Sequence, residues 1–141
     1  MKQHFISLVL FFSFLLSGCM PLKQTEVTSP NGHIRLAFAL DGNNRMTYQV
    51  SVGDTVFIAP SLLGFTAKDG VNLAEGFKVI NTDFTTYDET WTQPWGENKT
   101  IRNHYNEMAV HLSDTTNTQL TLRFRIFDDG LGFRYEYEVP G

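Results

Sequence analysis

From Ile34 onward the chain alternates between apolar and polar positions. Ile34, Leu36, Phe38 and Leu40 are separated by polar or small residues, and Met46, Tyr48, Val50 and Val52 repeat the pattern after Asp41-Gly42-Asn43-Asn44. A period of two places every second side chain on one face of a strand, so these runs predict a hairpin. Gly53-Asp54 predicts the next turn, before a short run from Thr55 to Ile58 that Pro60 should stop, since proline cannot donate to a ladder. Gly64 to Ala67 predicts a further short strand ended by Asp69-Gly70, and Phe77 to Tyr87 a longer Thr-rich one. Met108, Val110 and Leu112 alternate, as do Leu120, Leu122, Phe124 and Ile126 after the polar turn Asp114 to Thr118. Asp128-Asp129-Gly130 turns the chain into a last strand, with Phe133, Tyr135, Tyr137 and Val139 on one face. No useful window has helical periodicity, and there is no internal repeat.

Many short strands joined by Gly and Asp turns predict an all-β protein, an antiparallel β-sandwich in which each strand has one apolar and one wet face. The last strand runs into Pro140-Gly141. An aromatic strand of this kind needs a neighbour. The expectation is that another protein covers it or that the chain is a piece of something longer.

The N-terminus reads as an address. Phe5 to Leu16 is almost wholly apolar behind Lys2, too short to span a bilayer but the size of a signal-peptide core. Leu16-Ser17-Gly18-Cys19 follows and matches a bacterial lipobox, with Cys19, the only cysteine, as the lipidated residue. A lone cysteine excludes an intrachain disulfide framework. The expected organisation is a lipoprotein signal peptide over 1–18, a lipidated tether over 19–29 and a β-sandwich domain over 30–141. The lipid supplies membrane affinity. No acidic run follows Cys19, so the anchored protein is expected at a bacterial envelope membrane, the outer membrane, facing the periplasm.

The full chain carries 11 basic and 15 acidic residues, a net charge of −4. Removing Lys2 with the signal leaves 10 − 15 = −5. Acidic residues are scattered, and no basic face suggests nucleic acid as a partner.

The most informative chemistry lies between Trp91 and Glu107. The only two tryptophans, Trp91 and Trp95, stand four apart, and Pro94 and Gly96 flank the second. This favours an irregular, preset loop. Glu97, Arg102, Asn103, His104, Asn106 and Glu107 follow. Aromatic rings cover the apolar face of a pyranose, and carboxylate, amide and guanidinium groups meet its hydroxyls, so Trp91, Trp95, Glu97, Arg102, Asn103 and His104 are candidate sugar-binding residues. The alternative makes Trp91 and Trp95 core or interface anchors, with Arg102 and Glu107 a structural ion pair.

A glycosidase needs two carboxyl groups facing each other across a sugar. Asp128 and Asp129 read as a turn, Asp88 and Glu89 as caps or bridges between loops, and Glu97 has no visible opposing partner. His33, His104 and His111 lack zinc spacing, and there is no phosphate loop, dinucleotide fingerprint or nucleophile elbow.

Pro30-Asn31-Gly32, Gly64-Phe65 and Asp88-Glu89-Thr90-Trp91 resemble the start of glycoside hydrolase family 97. Trp95-Gly96-Glu97 and Ile101-Arg102-Asn103-His104-Tyr105-Asn106-Glu107 are similar to its most recognisable N-terminal signature, and the segment from Phe124 to Tyr135 to its next one. The resemblance covers about Glu26 to Gly141. It implies a part of an N-terminal β-super-sandwich belonging to exo-acting α-glucosidases and α-galactosidases, which also have a catalytic barrel, a small C-terminal β-domain and calcium near the reacting sugar. The catalytic carboxylates of that family lie on the barrel, so no catalytic residue transfers to this sequence. The calcium ligands are expected beyond Gly141, and no cofactor is expected on this chain. What the resemblance implies here is a non-catalytic, carbohydrate-associated support domain. Its partners are an α-linked oligosaccharide, the barrel of the same polypeptide and the membrane through the lipid. The alternative is a stand-alone periplasmic oligosaccharide-binding lipoprotein.

Overall fold

The computed structural model describes residues 24–68 and 70–137. The signal segment over 1–18 and Cys19 lie outside the described residues. Eight strands follow one another: β1 (Thr25–Thr28), β2 (Ile34–Leu40), β3 (Met46–Val52), β4 (Thr55–Leu62), β5 (Lys78–Thr92), β6 (Thr100–Ser113), β7 (Gln119–Ile126) and β8 (Leu131–Tyr137). They form two antiparallel sheets, β1-β2-β3-β4 and β5-β6-β7-β8, each in chain order. The expected sandwich is what forms.

The periodic positions account for the packing. Leu36, Phe38, Met46 and Val50 of the first sheet meet Met108, Val110, Leu112, Leu122 and Phe124 of the second in one buried core. β1 lies over β6 and β2 over β7. The Phe38 and Phe124 rings touch across the sheets at 6.1 Å, and Tyr48 meets Phe133 at 5.9 Å. Leu63, Leu73 and Phe77, from the connection between the sheets, are buried against the same core. The Tyr135 hydroxyl accepts the Gly64 N–H at 2.8 Å and fixes that connection to β8.

Four expectations are corrected. Pro60 does not stop its strand, because β4 is an edge strand and Pro60 falls in the register shift between the Tyr48–Ser61 and Val50–Ile58 pairs. A missing donor there breaks no ladder bond. The segment from Gly64 to Ala67 contributes only an isolated bridge, Thr66 to Asn72. Thr25–Thr28, read as tether, is β1, paired with Arg35–Phe38, and Val27 enters the core. One apolar residue in four gives no readable period. Lastly, the segment from Trp91 to Glu107 is not one loop. β5 runs through Trp91 to Thr92 and β6 resumes at Thr100, leaving only 93–99 irregular. The ladder overrides the local turn signal of Pro94 and Gly96.

Candidate functional site

β5 and β6, with 15 and 14 residues, are much longer than the strands of the first sheet. Asn106 Nδ2 donates to the Thr28 carbonyl at 2.9 Å, which ties the hairpin to the end of β1. Beyond that tie the hairpin continues as an arm, with every residue from Asp88 to Thr92 exposed. At its tip the Gln93 N–H donates to the Lys99 carbonyl at 3.0 Å, and the Gln93 side chain donates to the Asn98 carbonyl at 3.0 Å.

The register decides which candidate residues share a face. Asp88 stands opposite His104 and Thr90 opposite Arg102, on the side continuous with the buried Met108 and Val110. Tyr87 stands opposite Tyr105, Glu89 opposite Asn103 and Trp91 opposite Ile101, on the outer side. The six sequence candidates therefore do not converge. Arg102 and His104 look inward, Trp91 and Asn103 look outward, and Trp95 and Glu97 sit in the exposed tip.

On the inner side Arg102 grips Asp88 with two parallel hydrogen bonds of 2.8 Å from Nε and Nη2. These bonds hold the Asp88 carboxyl below its ordinary value, with the nearby Arg102 and His104 charges adding to the effect. Arg102, His104, Phe127, Asp128 and Asp129 line a shallow cup of about 310 Å³. The expected alternative pairing of Arg102 with Glu107 does not form, since the two residues point to opposite faces. Glu107 instead receives Arg123 at 2.5 Å and Arg125 at 2.7 Å. Burial pushes its carboxyl up, but the hydrogen bonds from Arg125 and Arg123 outweigh this and leave it below its ordinary value. Arg123 also grips Glu136 through Nε and Nη2 at 2.9 and 3.0 Å.

Neither tryptophan is a core anchor, because Trp95 is 84% exposed and Trp91 42%, and as exposed rings both still fit the interface-anchor alternative. The anchoring ring is Tyr105, 6% exposed although it lies on the outer face. Tyr87 stacks on it at 5.2 Å and 22°, Phe127 leans on it at 5.2 Å, and the Arg125 guanidinium sits 4.7 Å from its ring centre. Sequence reasoning missed Tyr87 and Tyr105. The signal was present in the spacing of Tyr87, Glu89 and Trp91, which a strand puts on one face.

Among the described residues no group of three or more His, Cys, Asp or Glu side chains is placed to hold a metal ion.

Residues 27–140 match the family described as Glycosyl-hydrolase 97 N-terminal. The chain belongs to that family. It is 26% identical, over 113 residues, to a retaining alpha-galactosidase of Bacteroides thetaiotaomicron, covering 80% of this chain and 16% of that protein. Two solved structures of a glycoside hydrolase family 97 enzyme from Pseudoalteromonas sp. strain K8 are also similar. The complex with panose is 30% identical with a TM-score of 0.75, and the complex with acarbose 29% identical with a TM-score of 0.76. Each likeness covers 83% of this chain and 18% of the enzyme. The family-97 sandwich described here thus spans less than a fifth of the length of these relatives.

Proposed function

We propose that this chain is the non-catalytic, carbohydrate-associated N-terminal support domain of a lipid-anchored family-97 α-glycosidase. The observation that carries this reading is the family match over 27–140, set against relatives about five times longer. The electrostatics of three carboxylates argue against one catalytic role for them, that of general acid. A general acid needs a carboxyl held protonated near neutral pH. Asp88, Glu107 and Glu136 are each held by arginine and pulled the other way. The lipobox ending at Cys19 supports anchoring at the outer membrane, facing the periplasm.

The test has three parts. The purified chain should turn over neither nitrophenyl α-glucoside nor nitrophenyl α-galactoside; clear turnover, lost in Glu97→Gln, would overturn the reading. Coding DNA beyond the Gly141 codon should stay open for several hundred codons, and a stop there, with a matching native mass, would remove the enzyme context. Labelling with radioactive palmitate should mark the wild type and not Cys19→Ser.

The second reading, a stand-alone periplasmic oligosaccharide-binding lipoprotein, is favoured by the exposure of Trp91 and Trp95. It requires the stop codon and a fluorescence response to maltooligosaccharides.

A further inference from the structure

We infer that the outer face of the β5–β6 arm is a binding platform for a chain of α-linked sugars, with Trp91 and Tyr87 as the stacking rings and Glu89 and Asn103 between them as hydroxyl partners. The inference rests on the carbohydrate-associated reading above and gives it a place.

Trp91 and Tyr87 lie four residues apart on one exposed strand, about 13 Å along it, and face the same way. That separation spans a few sugar units, so two rings of one oligosaccharide can each lay a C–H face on an aromatic ring. Glu89 sits midway, with Asn103 directly opposite on β6. The Tyr87 hydroxyl donates to Glu89 Oε2, which fixes the carboxylate and leaves Oε1 for a sugar hydroxyl. The Asn103 amide offers both a donor and an acceptor.

The platform is also preset. Tyr87 is held by its stack on Tyr105, which is fixed in turn by Arg125 and Phe127. A rigid ring loses little freedom on binding. Trp91 makes no ring contact with the described residues and is 42% exposed. The chemistry selects the occupant. An anionic membrane surface would need unpaired basic residues, but Arg123, Arg125 and Arg134 on this face are paired with Glu107 and Glu136, and the outward positions of β5 are Asp83, Thr85, Tyr87, Glu89 and Trp91. A protein contact would favour a continuous apolar core, but here a carboxylate and an amide separate the rings.

Calorimetric titration of the whole chain with panose and maltoheptaose, with cellohexaose as the β-linked control, tests the platform. Trp91→Ala should weaken α-linked binding roughly tenfold, as expected for loss of one stacked ring. Tyr87→Ala should weaken it too, and Trp95→Ala and Arg102→Lys should leave it unchanged. A circular dichroism melt of each variant separates lost binding from lost folding. Binding that survives Trp91→Ala but fails in Trp95→Ala or Arg102→Lys overturns the platform and leaves the carbohydrate-associated reading standing. No heat with either α-linked sugar also overturns the platform. So does protection of Trp91 by a protein partner without any sugar response, which assigns the face to domain packing. The support-domain reading is decided separately, by the coding sequence and the nitrophenyl assays.

Discussion

Asp128 Oδ1 accepts the backbone N–H of Asn31 at 2.9 Å across 97 positions of sequence. The bond joins the turn before β2 in one sheet to the turn before β8 in the other. Asn31 is itself set by its own side chain, whose Oδ1 accepts from the His33 N–H at 2.9 Å and from the Ser29 hydroxyl at 2.6 Å. Asp128→Ala should lower stability by up to about 1 kcal/mol, the scale of one hydrogen bond at a partly wet site. Asp128→Asn keeps the acceptor and should melt close to wild type. Thermal melts of the two variants check this.

Gly64 has no room for a side chain. Its φ is +115°, and an added Cβ would lie 2.5 Å from Ala74 Cα and 2.6 Å from the Leu73 carbonyl oxygen. Both obstacles are backbone, so they cannot swing away. Gly64→Ala should cost about 3 kcal/mol. Tyr135→Phe, which removes only the hydrogen bond to the Gly64 N–H, should cost about 1 kcal/mol. Urea denaturation of both variants would show whether the backbone clash outweighs the lost bond.

The arginine-rich outer face sets the acid response. Hydrogen bonds from Arg123 and then Arg134 hold the Glu136 carboxyl at about 2, against an ordinary 4.5. A carboxylate lowered in this way stabilises the fold fully above the unfolded value, and the contribution fades as pH falls toward the folded one. The melting temperature should therefore drop between pH 4.5 and pH 2. In Glu136→Gln that slope should be shallower and the neutral-pH stability lower. Melts across this pH range decide the point, and an unchanged slope would remove Glu136 from the account.

Among the described residues no strand pairs with the outer edge of β4, which carries exposed Val56, Phe57 and Leu62, with Phe57 at 75%. An apolar edge strand is a template for pairing with another chain. Phe57→Lys should reduce self-association of the purified chain without lowering its melting temperature. Light scattering across a concentration series would register the difference.

The sandwich was legible because both sheets are built from strands with one buried face, and period two survives wherever only one face is buried. Leu120, Leu122, Phe124 and Ile126 against Thr121, Arg123 and Arg125 are the clearest case. β1 was not legible, since only Val27 among its four residues is buried. The arm was misread for a different reason. Pro94 and Gly96 are true turn residues, but the ladder from Thr92–Thr100 back to Tyr87–Tyr105 confines their influence to seven positions. The division of the candidate residues between two faces was beyond sequence reasoning. A register shift of one residue would have exchanged the faces of Arg102 and Asn103, and only the pairing with β5 fixes it.

Each sheet is a run of sequence neighbours, and the chain passes from one to the other once, between Leu62 and Lys78. Pairing within a sheet therefore closes only short loops, and among the described residues the contacts that need a long loop are those where the two meanders meet, as Phe38 and Phe124 do. A protease cut in that connection would leave two pieces, each with all four strands of its sheet, and mixing them should rebuild the sandwich from its halves.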